Sequence, residues 1–285
     1  MPDIFVSTGA FRAAHLADIL AEATALGVDH IELSSGVAPS NDLRDTVMAH
    51  RHRFRFLVHN YFPPPSDPFL LNLASPREDV GGRSMALCRE AVDLCAAVGA
   101  AFYSVHCGFT FDAADGAHLG KASQMNLPRI SMDEAMAHFV RRLTALCRYG
   151  EKNGVNIAVE NNVIAGFGIL DGENRLCLGA DRDSLLAIFE QVDSAVLRLL
   201  FDIGHAKVNM HTISADMDEI MSAFADRIVA VHVSDNDGCS DQNLPLAPDS
   251  PLAAVVARCP VPRIVESYGL AVDAIRGQVA LLSTL

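Results

Sequence analysis

The sequence predicts a single α/β domain, a (β/α)8 TIM barrel that spans residues 1–285. Short runs rich in Val, Ile and Phe alternate with longer segments of helical periodicity, as repeated βα units do, and eight such units can be counted. In the last four units a carboxylate or an imidazole lies at or near the end of the apolar run. A barrel of this kind assembles its active site from such strand ends.

Each predicted strand is a short apolar run, and the helices between the strands are roughly 11 to 24 residues long. In chain order the strands cover residues 4–7, 30–33, 54–59, 101–106, 155–160, 198–202, 228–233 and 263–266. The helices include residues 77–98, 131–153, 181–192 and 271–282. Of the 285 residues, 50% are hydrophobic. A chain of this size and composition can bury one large core without a second domain.

Several element boundaries carry residues that favour helix ends. Gly27 and Gly99 fall where helices should stop, and Gly154 comes just before the fifth strand. Ser131 followed by Glu134 resembles a capping box at the start of a helix. These residues support the predicted fold and carry no information about function.

Four longer loops follow predicted strands, at residues 60–76, 107–130, 161–180 and 234–250. In a TIM barrel, the loops that follow the strands lie on the C-terminal face, together with the strand-end side chains. We therefore expect a pocket with a lid on this face.

The composition disfavours several classes of partner. A formal net charge of -13 and a pI near 5.2 leave little basic surface for phosphates, so we expect a small-molecule substrate and no nucleic acid. No run approaches the roughly 20 apolar residues of a membrane span, and the N-terminus lacks the pattern of a signal peptide. A cytoplasmic protein without a membrane partner is expected. The seven cysteines contain no C-x-x-C pair and are predicted to be buried, reduced thiols.

The strand-end residues of units five to eight are suited to a metal ion. Glu160, Asp202, His232 and Glu266 offer three carboxylates and one imidazole. This donor set fits one divalent cation, with Mn²⁺ as the first choice and Mg²⁺, Co²⁺ or Zn²⁺ as alternatives. Any one of these residues alone could be a helix cap or a solvated loop residue. Four of them at neighbouring strand ends favour the metal site.

Other polar residues follow strands on the same face and are candidates for substrate binding. They are His59, His106, His205, Asn60, Asn162 and Asp235. The alternative for His59 and His106 is a buried, hydrogen-bonded histidine without a role in function. His30 begins its strand and should face away from the site.

The motifs FLVHNYF, YSVHCG, IAVENN, LLFDIGHAKV, VHVSDNDG and IVESYG follow one another along almost the whole chain. In this order they resemble the xylose isomerase-like TIM barrels, a family that includes sugar epimerases, hydroxypyruvate isomerases, inosose dehydratases and the endonuclease IV branch. The resemblance implies that Glu160, Asp202, His232 and Glu266 are metal ligands. It also implies that His205 touches substrate oxygens and that the chain forms a homo-oligomer.

The resemblance further implies a metal-dependent isomerase or epimerase of a sugar or keto-polyol, acting through a metal-stabilised enediolate. Glu160 and Glu266 would share the proton transfer, one as base and the other as acid. Return of the proton to the neighbouring carbon or oxygen gives isomerisation, and return from the opposite face gives epimerisation. Loss of a β-hydroxyl would give dehydration, and the sequence leaves these outcomes open.

The sequence leaves two other functions open. The stretch HNYF with FLLNLASPRE resembles the endonuclease IV branch, a zinc-dependent phosphodiesterase on abasic DNA, and His59, His106 and His205 match its additional zinc ligands. That branch has an aspartate and a histidine two residues apart, where this chain has Asp241 and Asn243. An amide is a poor replacement for an imidazole on zinc. A lyase or a non-catalytic sugar-binding barrel is the other alternative, although all four predicted ligands are present.

Overall fold

The computed structural model describes residues 2–112 and 127–285. In chain order its strands are β1 Ile4–Ser7, β2 His30–Leu33, β3 Arg55–His59, β4 Phe102–His106, β5 Asn156–Glu160, β6 Ile169–Leu170, β7 Glu173–Asn174, β8 Leu197–Asp202, β9 Ile228–Val233 and β10 Arg263–Val265. All except β6 and β7 pair in parallel and close a barrel in the order β1-β2-β3-β4-β5-β8-β9-β10, with β10 returning to β1. The predicted fold class is confirmed.

Helices alternate with the barrel strands and pack around them. They are α1 Leu16–Leu26, α2 Leu43–His50, α3 Glu78–Val98, α4 Met132–Asn153, α5 Arg182–Val192, α6 Ile203–Thr212, α7 Met217–Ala223, α8 Pro251–Ala257 and α9 Val272–Thr284. The predicted strands and long helices agree with these bounds to within two residues at each end. The helices α2, α6, α7 and α8 are shorter than the expected 11 residues, α6 by one residue. For α8 the cause is local, because Pro260 and Pro262 follow closely and a helix cannot run through them.

The predicted helix boundaries are found at the expected residues. Gly27, Gly99 and Gly154 end their helices in the left-handed conformation, with φ of 74°, 72° and 69°. This region favours glycine because it has no Cβ. The side chain of Ser131 accepts a hydrogen bond from the Glu134 backbone amide at 3.1 Å, as predicted for the start of α4.

Side chains alternate along each barrel strand between the helical layer and the barrel interior. The lower part of the interior is filled by an apolar layer made of Phe5, Leu57, Phe102, Ala158, Leu200, Ala230 and Ile264. Two residues further along several of these strands, the inward positions become polar. Leu57 is followed by His59, Ala158 by Glu160 and Ala230 by His232. The polar layer therefore lies directly above a buried apolar layer.

Two of the long loops are packed together above the barrel. A small apolar cluster joins Phe109 and Phe111, which follow β4, to Ile164, Leu176 and Cys177, which follow β5. The β6–β7 hairpin belongs to the second of these loops, and part of the first lies outside the described residues. The loops thus form a second, smaller core beside the polar layer.

Two further properties bear on the sequence predictions. All seven cysteines are free, and all except Cys239 are buried. Burial raises the pKa of the Cys107 thiol, which makes it a poor nucleophile and favours a packing role. Across residues 2–112 and 127–285, we find no helix with the length and apolar character that crossing a membrane requires.

Candidate active site

The four predicted metal ligands come together at the C-terminal ends of β5, β8, β9 and β10. Nδ1 of His232 lies 3.0 Å from a carboxylate oxygen of Glu160, 2.8 Å from one of Glu266 and 3.8 Å from one of Asp202. Two atoms that each bind an ion at about 2.1 Å can lie at most about 4.2 Å apart. Each of these three separations from Nδ1 is within this limit, but Asp202 is in neither of the two groups of possible ligand atoms that lie within 4.8 Å of one another.

The local sequence explains how Asp202 reaches this point. It is the last residue of β8 and the N-cap of α6, so one of its oxygens, Oδ1, accepts a hydrogen bond from the His205 amide at 2.7 Å. Gly204 makes this tight turn feasible, because a Cβ there would lie 2.5 Å from Oγ of Ser234. The second oxygen, Oδ2, is left facing His232 and the other carboxylates.

Three more histidines surround Glu160. One of its oxygens, Oε2, lies 3.4 Å from Nε2 of His59 and 3.4 Å from Nδ1 of His106, and Oε1 lies 3.7 Å from Nδ1 of His205. Potential ligand atoms lie within 4.8 Å of one another in two groups, which share Glu160. The groups are His59, Glu160, His232 and Glu266, and His106, Glu160 and His205.

The site holds more buried negative charge than its own side chains balance. Glu160, Asp202 and Glu266 are at most 5% exposed, and their charged contacts in the described part of the chain are all histidines. Oε2 of Glu160 and Oδ2 of Asp202 are buried and accept no hydrogen bond from the described residues. Such atoms are costly to bury unless they are paired or coordinate a metal. The donors present therefore fit a divalent cation.

The acid groups respond to this burial in opposite directions. Burial would raise the pKa of Glu160, but attraction to His106, His232 and His59 outweighs it and holds the pKa well below its usual range. Burial raises the pKa of Glu266 well above its usual range, and His232 offsets only part of the effect. The carboxylates thus compete for a small amount of positive charge. A cation placed among them would let all of them ionise.

The pKa values of the four histidines shift in two directions. Burial lowers the pKa of His59 to about 4 and lowers that of His106, which favours neutral rings with a lone pair. Burial lowers the pKa of His232 and His205 too, but the carboxylates around them outweigh it and raise both well above the usual range. The pKa of His232 is raised by the carboxylates of Glu266, Glu32 and Glu160.

Glu32 is a member of the polar layer that the sequence analysis missed. It lies on β2, is fully buried, and its Oε1 is 2.8 Å from Nε2 of His232. The two residues are 200 positions apart in the chain. A signal was present in the sequence, because Glu32 is the one acidic residue inside the apolar run HIEL. Its inward direction follows from strand periodicity, but its partner does not.

The cavity above the metal ligands has a volume of about 490 Å³. It is lined by His106, Asn162, Val163, Ala165, Phe167, His205, Ser240, Asp241, Asn243, Glu266 and Tyr268. Phe167 and Tyr268 are 43% and 50% exposed. The lining contributes two carboxylates and, among the described residues, no lysine or arginine.

The structure places the predicted substrate-binding residues in different surroundings. His106, His205 and Asn162 line the cavity, although the Asn162 amide also donates to the carbonyls of Cys107 and Leu178 at 2.7 and 2.9 Å. Asn60 and Asp235 are not part of the lining. Asp235 instead accepts a hydrogen bond from Nζ of Lys207 at 2.6 Å.

Asn60 follows β3 directly and has a left-handed backbone conformation, with φ of 46°. Its amide donates to the Ser104 carbonyl at 2.6 Å, and its carbonyl accepts from the Tyr103 hydroxyl at 2.8 Å. These bonds tie the end of β3 to β4. His30 lies at the opposite end of the barrel, bonded to Asp29, as its position at the start of β2 predicts.

The segment that contains Asp241 and Asn243 bears on the endonuclease alternative. Asp241, at the position of that branch's aspartate, lies 3.5 Å from Nε2 of His205, one of the predicted additional zinc ligands. The side-chain amide of Asn243 donates to Asp241 at 2.8 Å. An imidazole is therefore missing at the position where that branch has its histidine.

A family model described as "Xylose isomerase-like TIM barrel" matches residues 17–255. A probable endonuclease 4 of Thermotoga maritima is 26% identical over 176 residues, which cover 59% of this chain and 52% of that protein. The chain thus spans about half the length of this curated relative.

Solved structures are similar over the whole chain. A D-tagatose 3-epimerase-like protein has a TM-score of 0.73 at 21% identity, covering 99% of this chain and 97% of that one. The 3-keto-D-glucoside 4-epimerase YcjR from E. coli has a TM-score of 0.70 at 13% identity, and both chains are covered to 100%. At these identities the similarity shows the fold.

Proposed function

Because the chain belongs to the xylose isomerase-like TIM barrel family, we propose that it is a divalent-metal-dependent isomerase or epimerase of a sugar or keto-polyol. The observation that carries the proposal is the meeting of three buried carboxylates with Nδ1 of His232 beside an open cavity. Glu160, Asp202, His232 and Glu266 would hold the metal, with Mn²⁺ as the first candidate. The names of the similar solved structures, an epimerase-like protein and an epimerase, support this class of reaction.

The bound metal would polarise a substrate carbonyl and acidify the adjacent C–H bond. Glu160 and Glu266 belong to β5 and the end of β10, which are three strands apart in the barrel, so they approach a bound substrate from different sides. One carboxylate removes the proton from carbon and the other returns it. The apolar layer below the carboxylates excludes water from that side of the site.

The cavity lining favours an uncharged substrate. Its volume of about 490 Å³ is within the ordinary range for small-molecule sites. Asp241 and Glu266 would repel a phosphate, and the described lining offers no lysine or arginine to hold one. His106 and His205 can contact sugar hydroxyls, while Phe167 and Tyr268 offer apolar ring surface. A free ketose fits these features better than a sugar phosphate does.

The test is proton exchange at carbon. The Mn²⁺-loaded protein is incubated with free ketoses in deuterated water, and deuterium in the substrate is followed by NMR. We expect incorporation by the wild-type chain and none by Glu160→Gln, because the variant keeps the volume and loses the base. Glu151→Gln makes the same chemical change on the exposed face of α4 and should exchange at the wild-type rate. Undiminished exchange by Glu160→Gln would refute the assignment.

The endonuclease alternative is favoured by the Thermotoga maritima relative and by the closeness of His205 and Asp241. Asn243 and the net charge of -13 argue against it. Elemental mass spectrometry on protein purified without a histidine tag separates the two readings. About one metal per chain supports the isomerase. Three zinc ions per chain, together with cleavage of abasic DNA, would overturn the isomerase proposal in favour of a nuclease.

A further inference from the structure

Glu32 makes the polar contact on the side of the His232 ring that faces away from the other carboxylates. Its Oε1 lies 2.8 Å from Nε2, while Nδ1 of the same ring faces Glu160, Glu266 and Asp202. We propose that Glu32 is a positioning residue that holds His232 as a metal ligand through Nδ1 and thereby sets the affinity of the site. This inference rests on the proposed metal-dependent function.

Of the two nitrogens of a neutral imidazole, one carries a proton and the other a lone pair. A carboxylate can only accept, so Glu32 keeps the proton on Nε2. The lone pair is then on Nδ1, where the three carboxylates of the predicted site converge. Without Glu32, those three carboxylates would draw the proton to Nδ1, and that nitrogen could not bind a cation.

The position of Glu32 in the barrel makes this contact rigid. It is paired in register with Ser7 of β1 and Leu57 of β3, and its side chain is fully buried. The strand β2 is separated from β9 by β1 and β10, so the contact with His232 crosses the barrel interior. The ring lies between Glu32 and the other carboxylates, so Glu32 acts on the metal site through His232.

The experiment measures Mn²⁺ binding by the full chain after removal of metal, by competition with a fluorescent chelator. Glu32→Gln keeps the volume and removes the charge, and we expect its Mn²⁺ dissociation constant to rise about 10- to 100-fold. Ser7→Ala alters a buried side chain next to Glu32 in register and leaves the contact with His232 in place. It should bind Mn²⁺ as the wild type does.

A second measurement reports on the ring itself. In the Zn²⁺-loaded protein with ¹⁵N-labelled histidine, we expect the His232 signals of a ring protonated at Nε2, and their loss or weakening in Glu32→Gln. Circular dichroism and a cooperative thermal transition establish that the variant is folded. If Glu32→Leu, which has no acceptor, also fails to weaken Mn²⁺ binding more than twofold, the inference is overturned.

These outcomes separate this inference from the proposed function. A wild-type chain that binds no Mn²⁺ and catalyses no exchange overturns both. Tight binding by the wild type together with equally tight binding by folded Glu32→Gln and Glu32→Leu overturns the role of Glu32 alone.

Discussion

At the residue scale, Glu160 connects the predicted ligands to the histidines that border the cavity. Its two oxygens face His59, His106, His205 and His232, all within 3.7 Å. Desolvation would favour the protonated acid, yet the surrounding rings hold the pKa well below its usual range. Glu160 is therefore suited to remain a carboxylate at neutral pH in a fully buried position.

Asp235 provides a residue-scale prediction that involves pH. Burial opposes its ionisation, but the hydrogen bonds from Lys207, Ser250 and the Asn236 backbone amide together outweigh burial and lower its pKa below the usual 3.8. The stabilisation is therefore complete above pH 3.8 and is lost as the pH falls through the lower, folded-state pKa. Asp235→Asn should reduce the free energy of unfolding by about 1 to 2 kcal/mol at pH 7, with a smaller difference near pH 3.

Urea unfolding at both pH values checks this prediction. Asp249→Asn is the control. It removes the same charge from an exposed residue of the loop that also contains Asp235. Activity gives an independent result, since a residue bonded to Lys207 outside the cavity should leave KM unchanged. A large increase in KM for Asp235→Asn would instead support the substrate-binding role that the sequence predicts.

At the element scale, a buried arginine ties α3 and α4 to the loop that follows β3. Arg142 on α4 donates to the carbonyls of Leu73 and Ser75 at 2.9 and 2.6 Å. The guanidinium lies against Gly81 of α3, where a Cβ would be 2.1 Å from Nη2. The loop begins directly after His59, so this contact joins the segment that follows β3 to two helices.

Two adjacent glycines in α3 should respond in opposite ways to alanine. Gly81→Ala would displace Arg142 and leave two buried carbonyls unpaired, so we expect a loss of roughly 2 kcal/mol in unfolding free energy. At Gly82 a Cβ would meet only Glu78, at 3.6 Å. Gly82→Ala should therefore stabilise the helix by up to about 1 kcal/mol. Thermal or urea unfolding of the two variants tests this, and an equal effect of both would contradict it.

At the scale of the whole molecule, the barrel buries several carboxylates on an apolar floor without a lysine or arginine among their described contacts. Such an arrangement is unfavourable without a cation, because like charges repel strongly where water is excluded. The proposed metal would therefore contribute to the stability of the fold as well as to the reaction.

Metal removal should lower the melting temperature. A ligand present at about 100 times its dissociation constant stabilises the folded state by about 2.7 kcal/mol, provided that it does not bind the unfolded chain. For a domain of this size, we expect EDTA to lower the melting temperature by roughly 5 to 10 °C and added Mn²⁺ to restore it. An unchanged melting temperature, with loss of metal verified by elemental mass spectrometry, would contradict a structural contribution of the metal.

Much of the architecture could be predicted from local sequence. The periodicity of the apolar runs gave strand bounds within two residues, and Gly27, Gly99, Gly154 and Ser131 end or cap helices as predicted. These features depend on neighbouring residues and backbone conformation, which the sequence states directly. The lengths of α2, α7 and α8 were less predictable, because short helices owe their stability to packing against the barrel.

The sequence by itself determined the barrel, the family resemblance and the residues that stand at the ends of the strands. The tertiary structure decided the partners that the sequence left open. It brought Glu32 to His232 across 200 positions, and it engaged Asp235 with Lys207 instead of placing it at the cavity. The physical reason is that strand periodicity fixes the direction of a side chain, whereas closure of the barrel fixes its partner on a distant strand.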